Sequence, residues 1–159
     1  MTDIILRRAT TDDARIITSQ RRAMFTDMGV TFVEGMDAMD KAFLPWVIAH
    51  MERGEYLGWL AVTQVEGREV AAAGAGLFIH PWLPRYDDPR ARRAYILNVY
   101  TYPDYRRRGL ARRLVEAILE HCKADGFKAV TLHASDQGYP IYEALGFKVT
   151  NEMRIQLGE

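Results

Sequence analysis

One cysteine, Cys122, occurs in the 159 residues, so no disulfide can form within the chain and a reducing, cytoplasmic setting is expected. Long apolar runs are also missing. No stretch approaches the roughly 18 apolar residues of a membrane span. The first residues, Met1-Thr2-Asp3-Ile4-Ile5-Leu6-Arg7-Arg8, carry charge where a secretion signal would be apolar. Neither sign of charge is in excess: Lys+Arg and Asp+Glu both number 21. No whole-molecule attraction to nucleic acid or membrane is therefore expected, and any anion site must come from local clustering. The four histidines have no metal-like spacing, so no metal is expected. No repeat, low-complexity stretch or linker divides the chain. One domain over residues 1–159, large enough for a real core, is the expected organisation.

The pattern along the chain alternates strand and helix signals. Residues 4–8 read as a short strand. Thr10, Thr11, Asp12 and Asp13 then mark a helix start, because hydroxyls and acids satisfy free N–H groups and suit the positive end of the helix dipole. Ala14, Ile17, Arg21, Met24 and Phe25 keep helical spacing up to a stop at Gly29. Residues 32–53 read as a second helical region, broken near Pro45. Strands at 56–65 and 70–79, joined by the short Gly67 connection, read as a hairpin. Residues 80–93, with Pro81, Pro84 and Pro89, form the one long irregular segment. A strand at 94–101 ends before Pro103. An apolar stripe of Leu110, Leu114, Ala117 and Ile118 gives a helix closed near Gly126. A strand at 127–133, a short helix at 141–145 and a last strand at 147–157 complete the order β-α-α-β-β-β-α-β-α-β. That order is α+β, with helices flanking a central mixed sheet.

The chemistry concentrates in Arg106-Arg107-Arg108-Gly109-Leu110-Ala111, between a strand and a helix. A helix N-terminus offers free N–H groups and about half a positive charge, which favours phosphate. Gly109 and the small Ala111 let a ligand approach the backbone, and Arg112 and Arg113 extend the charge. These residues imply a phosphate-bearing ligand. The lysine of a Walker loop and the three glycines of a dinucleotide fingerprint are both missing. A solvated helix start and a nucleic-acid patch built on residues 106–113 remain alternatives from the residues alone.

The pattern Arg106-x-x-Gly109-x-Ala111, followed downstream by Tyr142-Glu143-Ala144-Leu145-Gly146-Phe147, resembles the GNAT superfamily of N-acetyltransferases. The element order is similar over nearly the whole chain. The resemblance implies a mostly antiparallel mixed sheet and acetyl-coenzyme A as cosubstrate. It also implies a strand bulge near 97–101, splaying away from residues 130–133 to admit the pantetheine arm. Backbone groups of Val99, Tyr100 and Thr101 would then serve the arm and the reacting carbonyl. Arg106, Arg107, Arg108, Gly109, Leu110 and Ala111 would hold the pyrophosphate, with Ser135 a polar contact or a helix cap. Tyr142 would give a proton to the departing thiolate, since a phenol keeps its proton near neutral pH.

On the acceptor side the reading is thinner. Phe32, Glu34, His80 and Asn98 are substrate-side candidates. Glu34, His80 and His133 compete with a water chain for the role of base. Met24, Phe25 and Met28 fit core packing and pocket lining equally. Trp82 and Tyr86 could line the pocket or plug it, and Asp87 and Asp88 could attract a cationic amine. Transfer of acetyl to a primary amine, small molecule or peptide, is the expected activity, with a homodimer as the family's common state. A non-catalytic acyl-CoA-binding regulatory module is the alternative.

Overall fold

A computed structural model describes residues 3–158. Five strands form one sheet in sequence order: β1 (Ile5–Arg8), β2 (Tyr56–Val65), β3 (Arg68–Pro81), β4 (Arg92–Thr101) and β5 (Val130–Leu132). The first three pairings are antiparallel and β4–β5 is parallel. Four helices flank it: α1 (Ala14–Asp27), α2 (Val33–Glu52), α3 (Leu110–Ala124) and α4 (Tyr139–Ala144). This is the expected α+β mixed sheet.

The start of α1 follows from its polar residues. The Thr10 backbone N–H donates to Asp13 Oδ2 at 2.8 Å, and the Asp12 N–H donates to Thr10 Oγ1 at 3.3 Å. Arg7 clamps Asp13 through paired bonds of 2.9 Å, tying β1 to the helix entry. That guanidinium, more than any other cause, holds the Asp13 carboxyl below its usual range.

Two cores lie on opposite faces of the sheet. On one, the α3 side chains Leu114, Val115, Ile118 and Cys122 pack on Trp59, Ala61, Ala73, Ala75, Leu77 and Ile96. Their three- and four-residue spacing is the helical period read from the sequence. On the other face, Ala14 and Ile17 of α1 and Phe43 and Val47 of α2 pack with Tyr56. Alanine and glycine through the middle of β3 let helices approach both faces closely.

Three expectations are corrected. The helix α2 runs unbroken through Pro45, although a proline inside a helix costs roughly 3 kcal/mol. Aromatic packing anchors it on both sides: the Trp46 ring lies 5.7 Å from Phe43, 3.9 Å from His50 and 5.0 Å from Phe78. The irregular segment is shorter than expected, because β3 and β4 extend to Pro81 and Arg92 across its ends. Finally, residues 147–157 form no strand. Their apolar alternation is real, but a ladder needs a partner edge, and β5 is only three residues long.

Candidate active site

The site begins with a fault in β4. Gly76 pairs with Leu97, but Gly74 pairs with Tyr100, so β4 carries one extra residue opposite β3. Asn98 absorbs it in the left-handed region, at φ 57. Asparagine tolerates that conformation better than most side chains. Its side chain is fixed as well: Asn98 Nδ2 donates to the Tyr56 hydroxyl at 3.0 Å, and Arg21 Nη1 donates to Asn98 Oδ1 at 2.7 Å. Asn98 is thus a buried pin of the bulge, 3% exposed, and not an open substrate contact.

Beyond the bulge the sheet opens. The β4–β5 ladder stops at Ile96 and Leu132, while β4 continues to Thr101. The Tyr102 N–H donates to the Ala72 carbonyl at 3.0 Å, toward β3, so strand alternation turns Thr101 to the open edge. There Arg106 Nε donates to the Thr101 carbonyl at 3.0 Å.

Next comes the turn into α3. Arg107 has φ 64 and Gly109 has φ 71, so the backbone twice enters the left-handed region before the helix starts. The N–H groups of Arg107, Arg108, Gly109, Leu110, Ala111 and Arg112 have no hydrogen-bond acceptor among the described residues. Arg113 is the first to donate inward, to the Gly109 carbonyl at 3.1 Å. A Cβ at Gly109 would meet nothing within 4 Å, so that backbone is open to an incoming group. Unpaired N–H groups at the positive end of a fifteen-residue helix make an anion cradle.

A groove of about 890 Å³ joins these features. Val99, Tyr100, Thr101, Arg106, Arg107, Gly109, Leu110, Ala111, Ser135 and Tyr142 all line it. Arg108 does not; its guanidinium lies over the Tyr105 ring at 5.4 Å and reaches the Asp104 carbonyl at 3.4 Å. Arg106 lines the groove but is engaged, with Nη2 2.6 Å from Asp27 Oδ2, which ties the turn to α1. Arg112 pairs with Glu116 at 2.9 Å, and Arg113 reaches the Ile4 carbonyl at 3.4 Å. Arg107 alone of this cluster has no ion-pair or hydrogen-bond partner among the described residues. Ser135 Oγ accepts the Gly138 N–H at 3.2 Å, in the turn before α4.

Tyr142 closes the far wall. It is 8% exposed, and burial pushes its hydroxyl up to about 12. It therefore holds a donatable proton across the physiological range. Phe147 meets its ring edge-on at 5.9 Å, and a Cβ on Gly138 would stand 2.7 Å from Tyr142 Cε2. The motif Tyr142-x-x-x-Gly146-Phe147 thus seats this phenol.

The acceptor-side candidates do not assemble. Phe32, at the entry of α2, is 67% exposed, and Glu34 in its first turn is also exposed. His80 stacks on Phe78 at 4.9 Å and meets Trp82 edge-on at 5.8 Å. His133 hydrogen-bonds Tyr95 and lies 3.3 Å from Glu152. None of the four lines the groove. Nor do Trp82 and Tyr86, whereas Met24 and Met28 do. Asp87 and Asp88 are neutralised by Arg85 and Arg90 at 2.9 and 2.6 Å. Cys122 is packed in the core, its thiol pushed up to about 11 by burial, so it is no nucleophile. Among the described residues no His, Cys, Asp and Glu group could hold a metal, and no helix is long and apolar enough to cross a membrane.

The Acetyltransferase (GNAT) family profile matches residues 19–147, which hold the bulge, the turn, the groove and Tyr142. The chain belongs to the GNAT acetyltransferase family. A GCN5-related N-acetyltransferase from Ralstonia eutropha JMP134 is 29% identical with a TM-score of 0.87, over 98% of this chain and 99% of that one. Two further solved structures share the fold. A predicted acetyltransferase with acetyl-CoA from Clostridium acetobutylicum is 24% identical, with a TM-score of 0.84 over 98% and 96% of the two chains. Glucosamine-6-phosphate N-acetyltransferase from Arabidopsis thaliana is 18% identical, with a TM-score of 0.68 over 99% of each chain. No curated protein sequence matches significantly. Acetyl transfer is the general chemistry of this GNAT chain. Arg21, expected only as a member of the α1 stripe, holds Asn98 at the bulge, and Gln20 beside it lies against Gly74; a charge inside an otherwise apolar stripe was the signal for the first.

Proposed function

We propose that this GNAT protein transfers an acetyl group from acetyl-CoA to a primary amine by direct attack, with no acyl-enzyme. The observation that carries the reading is the run of unpaired N–H groups from Arg107 to Arg112, opening onto a groove that leads to Tyr142. In this reading the N–H run and the unpaired Arg107 bind the pyrophosphate. The open edge of β4 at Val99 and Thr101 receives the amide-bearing arm as an added strand would. The thioester then sits beside the bulge.

The amine nitrogen forms its bond to the carbonyl carbon, and charge gathers on the oxygen. The backbone N–H of Val99 stabilises that oxygen, since Tyr100 faces β3 opposite Gly74; such a role is worth about 3 kcal/mol in enzymes generally. The carbon–sulfur bond breaks, and the sulfur takes the Tyr142 proton. Glu34, His80 and His133 stand outside the groove, so the amine's proton leaves through water, and water returns a proton to the Tyr142 phenolate.

A calorimetric titration with acetyl-CoA tests the reading. The wild type should bind it, and Arg107→Glu should weaken binding at least tenfold without shifting the melting temperature. Equal affinities, or no binding by the wild type, would refute the cradle.

A further inference from the structure

Many arginines of this protein are matched by carboxylates; Arg107, Arg108 and Arg113 at the turn into α3, and Arg8 over the Trp59 ring, are not, but these lie toward solvent. Arg22 meets Asp37 at 2.8 Å, Arg85 meets Asp87 at 2.9 Å, and Arg106 meets Asp27 at 2.6 Å. Arg21 is different. It projects from α1 toward the bulge, half-buried, and no carboxylate lies within ion-pair distance among the described residues. Its single hydrogen bond runs from Nη1 to the neutral Asn98 amide oxygen. The rings of Phe25 and Phe43 flank it at 5.0 and 5.2 Å. Its Nε is shut off from solvent with no acceptor. Burial lowers its affinity for a proton, against the opposing influence of Tyr56 and Tyr95.

Beside it on α1, Gln20 is 2% exposed and its Nε2 also lacks an acceptor. Gln20 lies against Gly74, where a Cβ would collide with its amide oxygen. Two adjacent side chains therefore bring unfilled donors to the sheet at the bulge. A neutral group could pin Asn98 as well, and Tyr56 already holds the other end of that amide. Burying a charge costs several kcal/mol unless an opposite charge meets it. Arg21 does not itself line the groove but stands behind its wall: Asn98, which it holds, precedes the lining residues Val99 and Tyr100, and Met24, one turn beyond Arg21, lines the groove.

We propose that Arg21 recognises the acceptor, and that the acceptor is a small amine bearing a carboxylate close to its nitrogen. The proposal rests on the acetyl-transfer reading and names the substrate class for that site. A planar guanidinium matches a carboxylate in shape, and one uncompensated cation matches one negative charge. A phosphate dianion would need a second free cation. Arg93, which like Arg21 lies near Tyr95, is already occupied by Thr131 at 3.0 Å and Glu152 at 3.8 Å.

The test uses matched acceptors: an α-amino acid, its amide, and the amine lacking the carboxylate. Thiol release is followed with the wild type, Arg21→Gln and Arg21→Lys. The wild type should favour the acid at least tenfold in kcat/KM, chiefly through KM. Arg21→Gln should lower that preference at least tenfold, while Arg21→Lys keeps part of it. A wild type that prefers the amide or the plain amine overturns the proposal and leaves acetyl transfer standing. So does an Arg21→Gln variant that slows all three acceptors by one factor, which would make Arg21 a pin of the bulge alone. Acetyl-CoA binding without thiol release from any acceptor overturns the acetyl-transfer reading itself, and this proposal with it. Should Arg21→Gln fail to fold, the wild-type preference still decides.

Discussion

Gly76 shows how a missing side chain shapes this site. A Cβ there would collide with the Tyr56 hydroxyl, the group that accepts from Asn98. Gly76→Ala should therefore displace Tyr56 and loosen the bulge, costing about 1–3 kcal/mol in urea unfolding. At Tyr142 a different prediction follows. Tyr142→Phe keeps the ring packed against Phe147 and removes only the proton donor. Steady-state turnover should fall roughly a hundredfold while acetyl-CoA affinity stays within twofold. Unchanged turnover would remove Tyr142 from the chemistry. At this scale the groove wall was readable, because glycine, alanine and tyrosine at fixed offsets each answer a local need. Asn98 was not. Its role depends on Arg21 and Tyr56, and Arg21 lies 77 residues away.

The element that matters most is the turn between β4 and α3. Its sequence suggests five arginines acting on a phosphate, but the structure divides their work. Arg106 ties the turn to α1 and to the end of β4, Arg108, Arg112 and Arg113 serve neighbouring groups, and Arg107 has no partner among the described residues. Arginine's reach lets it serve either a ligand or the fold, and pattern alone cannot divide the two. Gly109→Ala isolates the backbone's share. The left-handed φ of 71 costs alanine roughly 1 kcal/mol, and the new methyl points into open space. The melting temperature should drop only a few degrees, while calorimetric affinity for acetyl-CoA falls at least tenfold. Periodicity located the strands and α3 well, since each buries a face legible along the sequence. It overreached at residues 147–157, where alternation persists but no strand edge receives it. It also undervalued α2, where aromatic packing overrides Pro45.

Across the whole molecule, balanced charge leaves stability to the two cores, and buried weak acids set its alkaline limit. Burial raises Tyr56 and Tyr142 to about 12 and Cys122 to about 11. Unfolded, these groups titrate near 10 and 9. The unfolded chain therefore loses its protons first as pH rises. Their contribution is complete below about pH 9 and is lost as pH climbs through 11 to 12. Urea midpoints should fall across that window, and Tyr56→Phe should flatten part of the fall. Acetyl transfer to an amine is tested most directly by mass spectrometry of the products. Wild type incubated with acetyl-CoA and an amine panel should yield free CoA and an amine one acetyl group heavier, in equal amounts. Bound acetyl-CoA, with neither product from any amine, would contradict it.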